Sequence, residues 1–235
     1  MIHTCSHEVK QVSETFRLCA VLSLSGGFQD AYTYMIRGGV FANAQTGNVV
    51  LMSQHFMLRG WSMGIRYLFP LLSFAIGIVA AEQIEHKYKQ AARIHWRQIV
   101  LLVEIIALAL VAFMPAPLDI LANTVVSFTC AMQVQTFRKV HGYGYASTMC
   151  IGNLRAGTES MSAYIRSKNQ DFLHKALHYY GIILFFAIGA GIGGIISKAM
   201  GIKAILISCL LLLIGYLMMT RKEARHEHEH EHEHA

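Results

Sequence analysis

The chain has 235 residues, of which 54% are hydrophobic and only 14% charged, and its mean hydropathy is +0.40. A soluble domain carries about 25% charged residues, and a single core of this size cannot bury apolar runs as long as these, so a water-soluble globule is excluded. The formal charge of +6 would suggest nucleic acid in a soluble protein; in a membrane protein the cytoplasmic bias of Lys and Arg accounts for it, and no nucleic-acid partner is expected.

In chain order, residues 1–15 read as a polar cytoplasmic segment without a cleavable signal peptide; its His3 and His7 read as solvated. Six apolar runs follow, at 16–35, 65–82, 98–114, 119–137, 176–197 and 202–220. Each is long enough, or nearly so, to cross about 30 Å of hydrocarbon. Two further segments, 45–58 and 151–165, span only about 20 Å as helices. The second carries Arg155 and Glu159, which a lipid-facing span does not tolerate. The tail at 223–235 alternates His and Glu and reads as a purification tag.

Basic residues decide the topology. With both short segments entering without crossing, the 87–97 loop, the 138–175 stretch and both termini lie inside, and most of the 20 Lys and Arg lie with them. Arg37, Arg59, Arg66, Lys198 and Lys203 stay outside. The expected fold is all-α: a polytopic membrane protein of six spans plus two re-entrant or half-length helices. Eight spans, with the short segments strongly tilted, is the alternative.

The chain also repeats itself. Gly27-Phe28-Gln29-Asp30-Ala31 and Thr46-Gly47-Asn48 return as Gln133-Val134-Gln135-Thr136-Phe137 and Ile151-Gly152-Asn153, and Phe74-Ala75-Ile76-Gly77 returns as Phe186-Ala187-Ile188-Gly189. Repeated halves at 16–116 and 117–222, each crossing an odd number of times, must be inserted in opposite orientations. In membrane transporters such halves place a site where they meet.

The candidate solute-binding residues follow from this. Thr46, Gly47 and Asn48 read as a helix start, with Thr46 as cap and exposed N–H groups turned to a polar or anionic solute. Gly152 and Asn153 repeat the pattern, and Gly47 and Gly152 are expected to approach each other. Gln29 and Asp30 stand mid-span, where a carboxylate is costly unless solvated, paired or protonated; a site and a structural hydrogen bond fit Asp30 equally. Gln135 is the counterpart of Gln29. Arg155, four residues before Glu159, reads either as one half of a neutralising pair or as a filter for anions. Glu104 is a mid-span acid with no partner in sequence; Asn123, Gln133 and His55 are weaker candidates. The five cysteines lack metal-binding spacing and read as packing residues. No enzyme signature, metal site or cofactor motif is present.

With Gly27-Phe28-Gln29-Asp30-Ala31 and Thr46-Gly47-Asn48-Val49-Val50-Leu51, the chain resembles the YoaK family of bacterial membrane proteins, whose function is unassigned. The second half departs from that pattern, reading Gln135-Thr136-Phe137 where the family more often has Gln-Asn-Ala. The resemblance implies a multi-pass bacterial inner-membrane protein and supplies no substrate. The expected function is therefore a transporter or channel for a small polar or anionic solute, with the bilayer as partner and homo-oligomers possible. A non-transport interaction or lipid-binding protein is the alternative.

Overall fold

The computed structural model describes residues 15–89, 96–140, 143–145 and 147–233. The expected N-terminal segment, part of the basic 87–97 loop and the end of the tail lie outside the described residues. Among the described residues eight helices run in order: α1 Phe16–Ile36, α2 Gln45–Met57, α3 Trp61–Tyr88, α4 Trp96–Val111, α5 Asp119–Thr136, α6 Cys150–Ser167, α7 Gln170–Met200 and α8 Ile205–Glu233. Single 3₁₀ turns at Ala116–Leu118 and Gly201–Ala204 lead into α5 and α8. Among the described residues the fold is helical apart from one small antiparallel pairing, β1 Lys139–Val140 with β2 Tyr143–Gly144, a ribbon too short to leave a sequence signal.

Among the described residues two helical stretches, Trp61–Tyr88 and Gln170–Thr220, are long and apolar enough to cross a membrane. Gly201, with φ +60°, breaks the second between α7 and α8. Gln45–Met57 has 13 residues and stays short, as expected from sequence; Cys150–Ser167 has 18. At the start of α7 the Asn169 side chain accepts a hydrogen bond from the Asp171 N–H at 2.9 Å, so the helix begins before its apolar run.

The packing partners are regular. α1 lies along α7, and α3 lies along α5; α2 packs on α3, and α6 packs on α7; α4 and α8 touch each other, α4 also packing on α5 and α8 on α1. Small residues set the two long contacts. A Cβ added at Gly189 would overlap the Leu24 carbonyl, and one at Gly27 would overlap the Phe186 carbonyl. A Cβ at Gly77 would overlap the Phe128 carbonyl of α5. The glycines of the two Phe-Ala-Ile-Gly sequences therefore do the same work, letting α7 reach α1 and α3 reach α5 at backbone distance. The core joins Leu18, Leu22 and Phe28 of α1 to Leu101 and Leu108 of α4, Val126 and Cys130 of α5, and Ile205 and Leu212 of α8.

A buried polar junction as candidate functional site

The middle of α1 carries Ser25, Gly26, Gly27, Gln29 and Asp30, all buried. Helical spacing puts Ser25 and Gln29 one turn apart on one face, and Gly26 and Asp30 on the adjacent one. Each face meets different partners.

The first face meets α4, α5 and α8. The Gln29 Nε2 lies 3.1 Å from Glu104 Oε1, 3.2 Å from Ser25 Oγ and 3.0 Å from Ser208 Oγ. Ser25 and Ser208 hydroxyls are 2.6 Å apart, and the Cys130 thiol donates to Gln29 Oε1 at 2.7 Å. The Gln133 amide of α5 lies between Glu104, 2.9 Å from its Oε1 and 3.2 Å from its Oε2, and the Leu22 carbonyl and Ser147 Oγ, both at 3.3 Å. Glu104 and Gln29 are fully buried, so the acid without a sequence partner finds its partners on neighbouring helices.

The second face meets the segment entering α2. Asp30 Oδ1 accepts the Asn43 N–H at 2.7 Å, and Asn43 Nδ2 donates to the Gly26 carbonyl at 3.3 Å. The structural side of the Asp30 alternative is thereby realised: its carboxyl holds the chain in place just before α2. From the opposite side comes Thr148, whose Cγ2 would be struck by a Cβ at Gly26. Asn43 and Thr148 each stand two residues ahead of a helix, α2 and α6 respectively. Both are more than nine-tenths buried, and neither Asn43 Oδ1 nor Thr148 Oγ1 has a hydrogen-bond partner among the described residues. Buried polar atoms almost always have one.

The other expected site residues fall in different places. Asn48 is fully buried but spends its amide on its own segment, accepting from Phe41 N and donating to the Phe41 carbonyl and Gln45 Oε1. Asn153 is buried at the same position of α6, the fourth residue. Thr46 does not cap: α2 begins at Gln45, its N-cap residue is Ala44, and Thr46 is exposed. Gly47 faces the Phe41 ring, and the space beside Gly152 is open. The close approach expected to demand glycine at 152 is therefore not what that residue serves. Gln135 bonds Glu82 at the end of α3, away from its sequence counterpart Gln29.

Arg155 and Glu159 pair at 2.9 Å with side chains 81% and 64% exposed. They line an open groove of about 580 Å³ on α6 with Ile151, Leu154, Thr158 and Arg166. A solvated pair of this kind is worth little, and Arg155→Ala is expected to change stability by less than about 0.5 kcal/mol, measured by denaturant titration in detergent.

Residues 18–218 match the family model described as "Protein of unknown function (DUF1275)". The chain belongs to that family. Neither the curated proteins nor the solved structures contain a match to it. For a family with no assigned activity, the geometry of the junction is the basis for a functional reading. Sequence alone offered Gln29, Asp30, Glu104 and Gln133; it missed Ser25, Ser208, Asn43 and Thr148. For the last two a signal existed, because both sit immediately before the repeated Gly-Asn helix starts.

Proposed function

We propose that this protein is a multi-pass transporter of the bacterial inner membrane, carrying a small polar solute through the junction of two halves inserted in opposite orientations. The observation that carries the reading is the pair of unpartnered buried oxygens, Asn43 Oδ1 and Thr148 Oγ1, on either side of Gly26. A buried hydroxyl or amide left unsatisfied costs about 1–3 kcal/mol. A solute with its own donors would offset that cost on arrival, and the two oxygens come from corresponding places in the two halves.

The repeat is supported by the matching sequences and by the exchange of partners: the third helix of each half packs on the first helix of the other. α2 and α6 would then enter without crossing, and both termini would be cytoplasmic, as the distribution of Lys and Arg requires. An anionic solute loses support. Arg155 is at the surface with Glu159, and the buried Arg37 is taken up by Asp119. The junction itself contributes two carboxyl groups and neutral amides and hydroxyls.

Asp30 favours the second reading, a membrane interaction protein, because its carboxyl is engaged structurally. The variant Thr148→Val separates the two. It removes an unpartnered hydroxyl at nearly constant volume, so the solute-free protein should gain about 1 kcal/mol. In a transporter it should also abolish stabilisation by whichever compounds, in a thermal-shift screen of sugars, polyols and amino acids, stabilise the wild type. A screen without any stabilising compound, or one whose hits survive both Thr148→Val and Asn43→Ala, leaves the interaction-protein reading standing.

A further inference from the structure

α6 has two unlike faces. Asn153, Gly157 and Ser160 are buried, and Gly157 lies against Tyr179 and Tyr180 of α7. The opposite face, at helical spacing, carries Ile151, Gly152, Arg155, Glu159 and Arg166, all exposed. α2 holds the matching place in the first half, with Asn48 corresponding to Asn153, Val50 to Arg155 and Gln54 to Glu159. Val50 is 61% exposed, and α2 carries no Asp, Glu, Lys or Arg. The same outward position is thus apolar in the first half and charged in the second.

Depth makes that difference matter. If α6 enters from the cytoplasm without crossing, it begins two residues after Thr148, which lies against Gly26 in the middle of α1. At 1.5 Å per residue Arg155 lies about 8 Å and Glu159 about 14 Å from that start, both within half of a hydrocarbon layer about 30 Å thick. As a single copy in detergent the pair is solvated. Against lipid tails an open charge pair is costly. Gly152 points the same way. Among the described residues no atom lies within 4 Å of a Cβ built there, so no contact inside one copy calls for glycine. Between membrane helices, glycine lets two backbones approach closely.

We propose that α6 is the contact between two copies of this chain in the membrane, with Arg155 of each copy paired to Glu159 of the other. Two copies inserted alike are related by a two-fold axis along the membrane normal, so their α6 helices run side by side in the same direction. Glu159 stands one turn from Arg155, and the diagonal across the contact brings each acid to the other copy's guanidinium, both pairs made by one symmetry operation. Opposite charges on one face make the surface complementary to itself. Ile151 and Leu154 border the pair and line with it the open groove of about 580 Å³ that the second copy covers. An anionic lipid fits less well: Glu159 repels its phosphate, and Gly152 offers a headgroup nothing.

Förster transfer between donor- and acceptor-labelled full chains, in liposomes of neutral lipid, tests this. The wild type should associate above chance proximity. Arg155→Glu and Glu159→Arg each set like charges against each other and should weaken self-association at least about tenfold. Mixed together, the two variants should associate as well as the wild type, because one brings only acids to the contact and the other only cations. Pairing within one helix cannot give that rescue. Gly152→Leu has room within one copy, so it should leave stability unchanged and still lower association, by about tenfold. A monomeric wild type, charge variants that associate as the wild type does, or a mixture that stays apart would overturn the proposal. Association only after anionic lipid is added would assign the face to lipid and overturn it equally. Should either charge variant fail to fold, Gly152→Leu decides. The contact rests on the membrane placement of α6 and not on solute passage: association that follows the charges, without uptake, would leave the contact standing and the transport reading failed.

Discussion

Gly189→Val is expected to force α7 off α1 and to cost about 3 kcal/mol or more of stability, at or beyond the upper end for overpacking a close contact. The added Cβ meets the Leu24 carbonyl and Cα, which are helix backbone and cannot swing aside. Gly77→Val should behave alike, since its Cβ meets the Phe128 carbonyl of α5. The control is Gly191→Val, two residues from Gly189 on α7, where nothing lies within 4 Å. Unfolding of the three variants in a denaturing detergent series gives the comparison. Equal stability of the Gly189 and Gly191 variants would contradict the close α1–α7 contact. A large loss at Gly189 with none at Gly77 would remove the equivalence of the halves.

Arg37→Met should be as damaging, by about 3–5 kcal/mol, the usual cost of breaking a buried ion pair from one side. Arg37 has no exposed surface, and its guanidinium makes four hydrogen bonds. Its Nη1 donates to Asp119 Oδ1 at 2.9 Å and to the Met114 carbonyl at 2.8 Å, Nη2 donates to the Val111 carbonyl at 2.8 Å, and Nε donates to Tyr32 Oη at 2.8 Å. The Tyr32 hydroxyl in turn donates to the Ile202 carbonyl at 2.9 Å. One side chain thus ties the ends of α1 and α4 to the starts of α5 and α8, adding donors to the Val111 and Met114 carbonyls at the end of α4. Arg37→Lys keeps the charge but cannot reach four acceptors in this geometry, so it should recover less than half of the loss in the same unfolding assay. Full recovery by Lys would show that charge alone matters there.

Arg37 marks how far the sequence could be read. The distribution of the other Lys and Arg left it among the few basic residues outside, but nothing local told of Val111, Met114 or Asp119, which reach it only through tertiary packing. The apolar runs were legible where they fall in long apolar helical stretches, Trp61–Tyr88 and Gln170–Thr220, and the sequence repeats were legible because residues such as Gly77 and Gly189 are held to one identity by backbone contact. Gln29, Asp30 and Glu104 stood out because polar groups are rare in such runs. Thr46 misled for a local reason: α2 starts one residue earlier, so the hydroxyl sits inside the first turn instead of ahead of it. Gln135 misled for a distant one, since α5 turns it toward Glu82 and offers Gln133 to the interior instead. Ser208, in a run of aliphatic residues, reads as a small packing residue until Gln29 and Ser25 are seen beside it.

The reading stands or falls on solute passage at the Asn43–Thr148 junction. The most direct measurement is uptake into proteoliposomes of a compound found to stabilise the wild type, compared between Thr148→Val and Ser197→Ala. Both variants remove a buried hydroxyl without a partner, and both should fold at least as well as the wild type. Only Thr148 flanks Gly26, so uptake should fall at least about tenfold, some 1.4 kcal/mol, in Thr148→Val and stay at the wild-type rate in Ser197→Ala. Equal uptake by the two variants, or none by the wild type, would contradict a solute pathway through this junction.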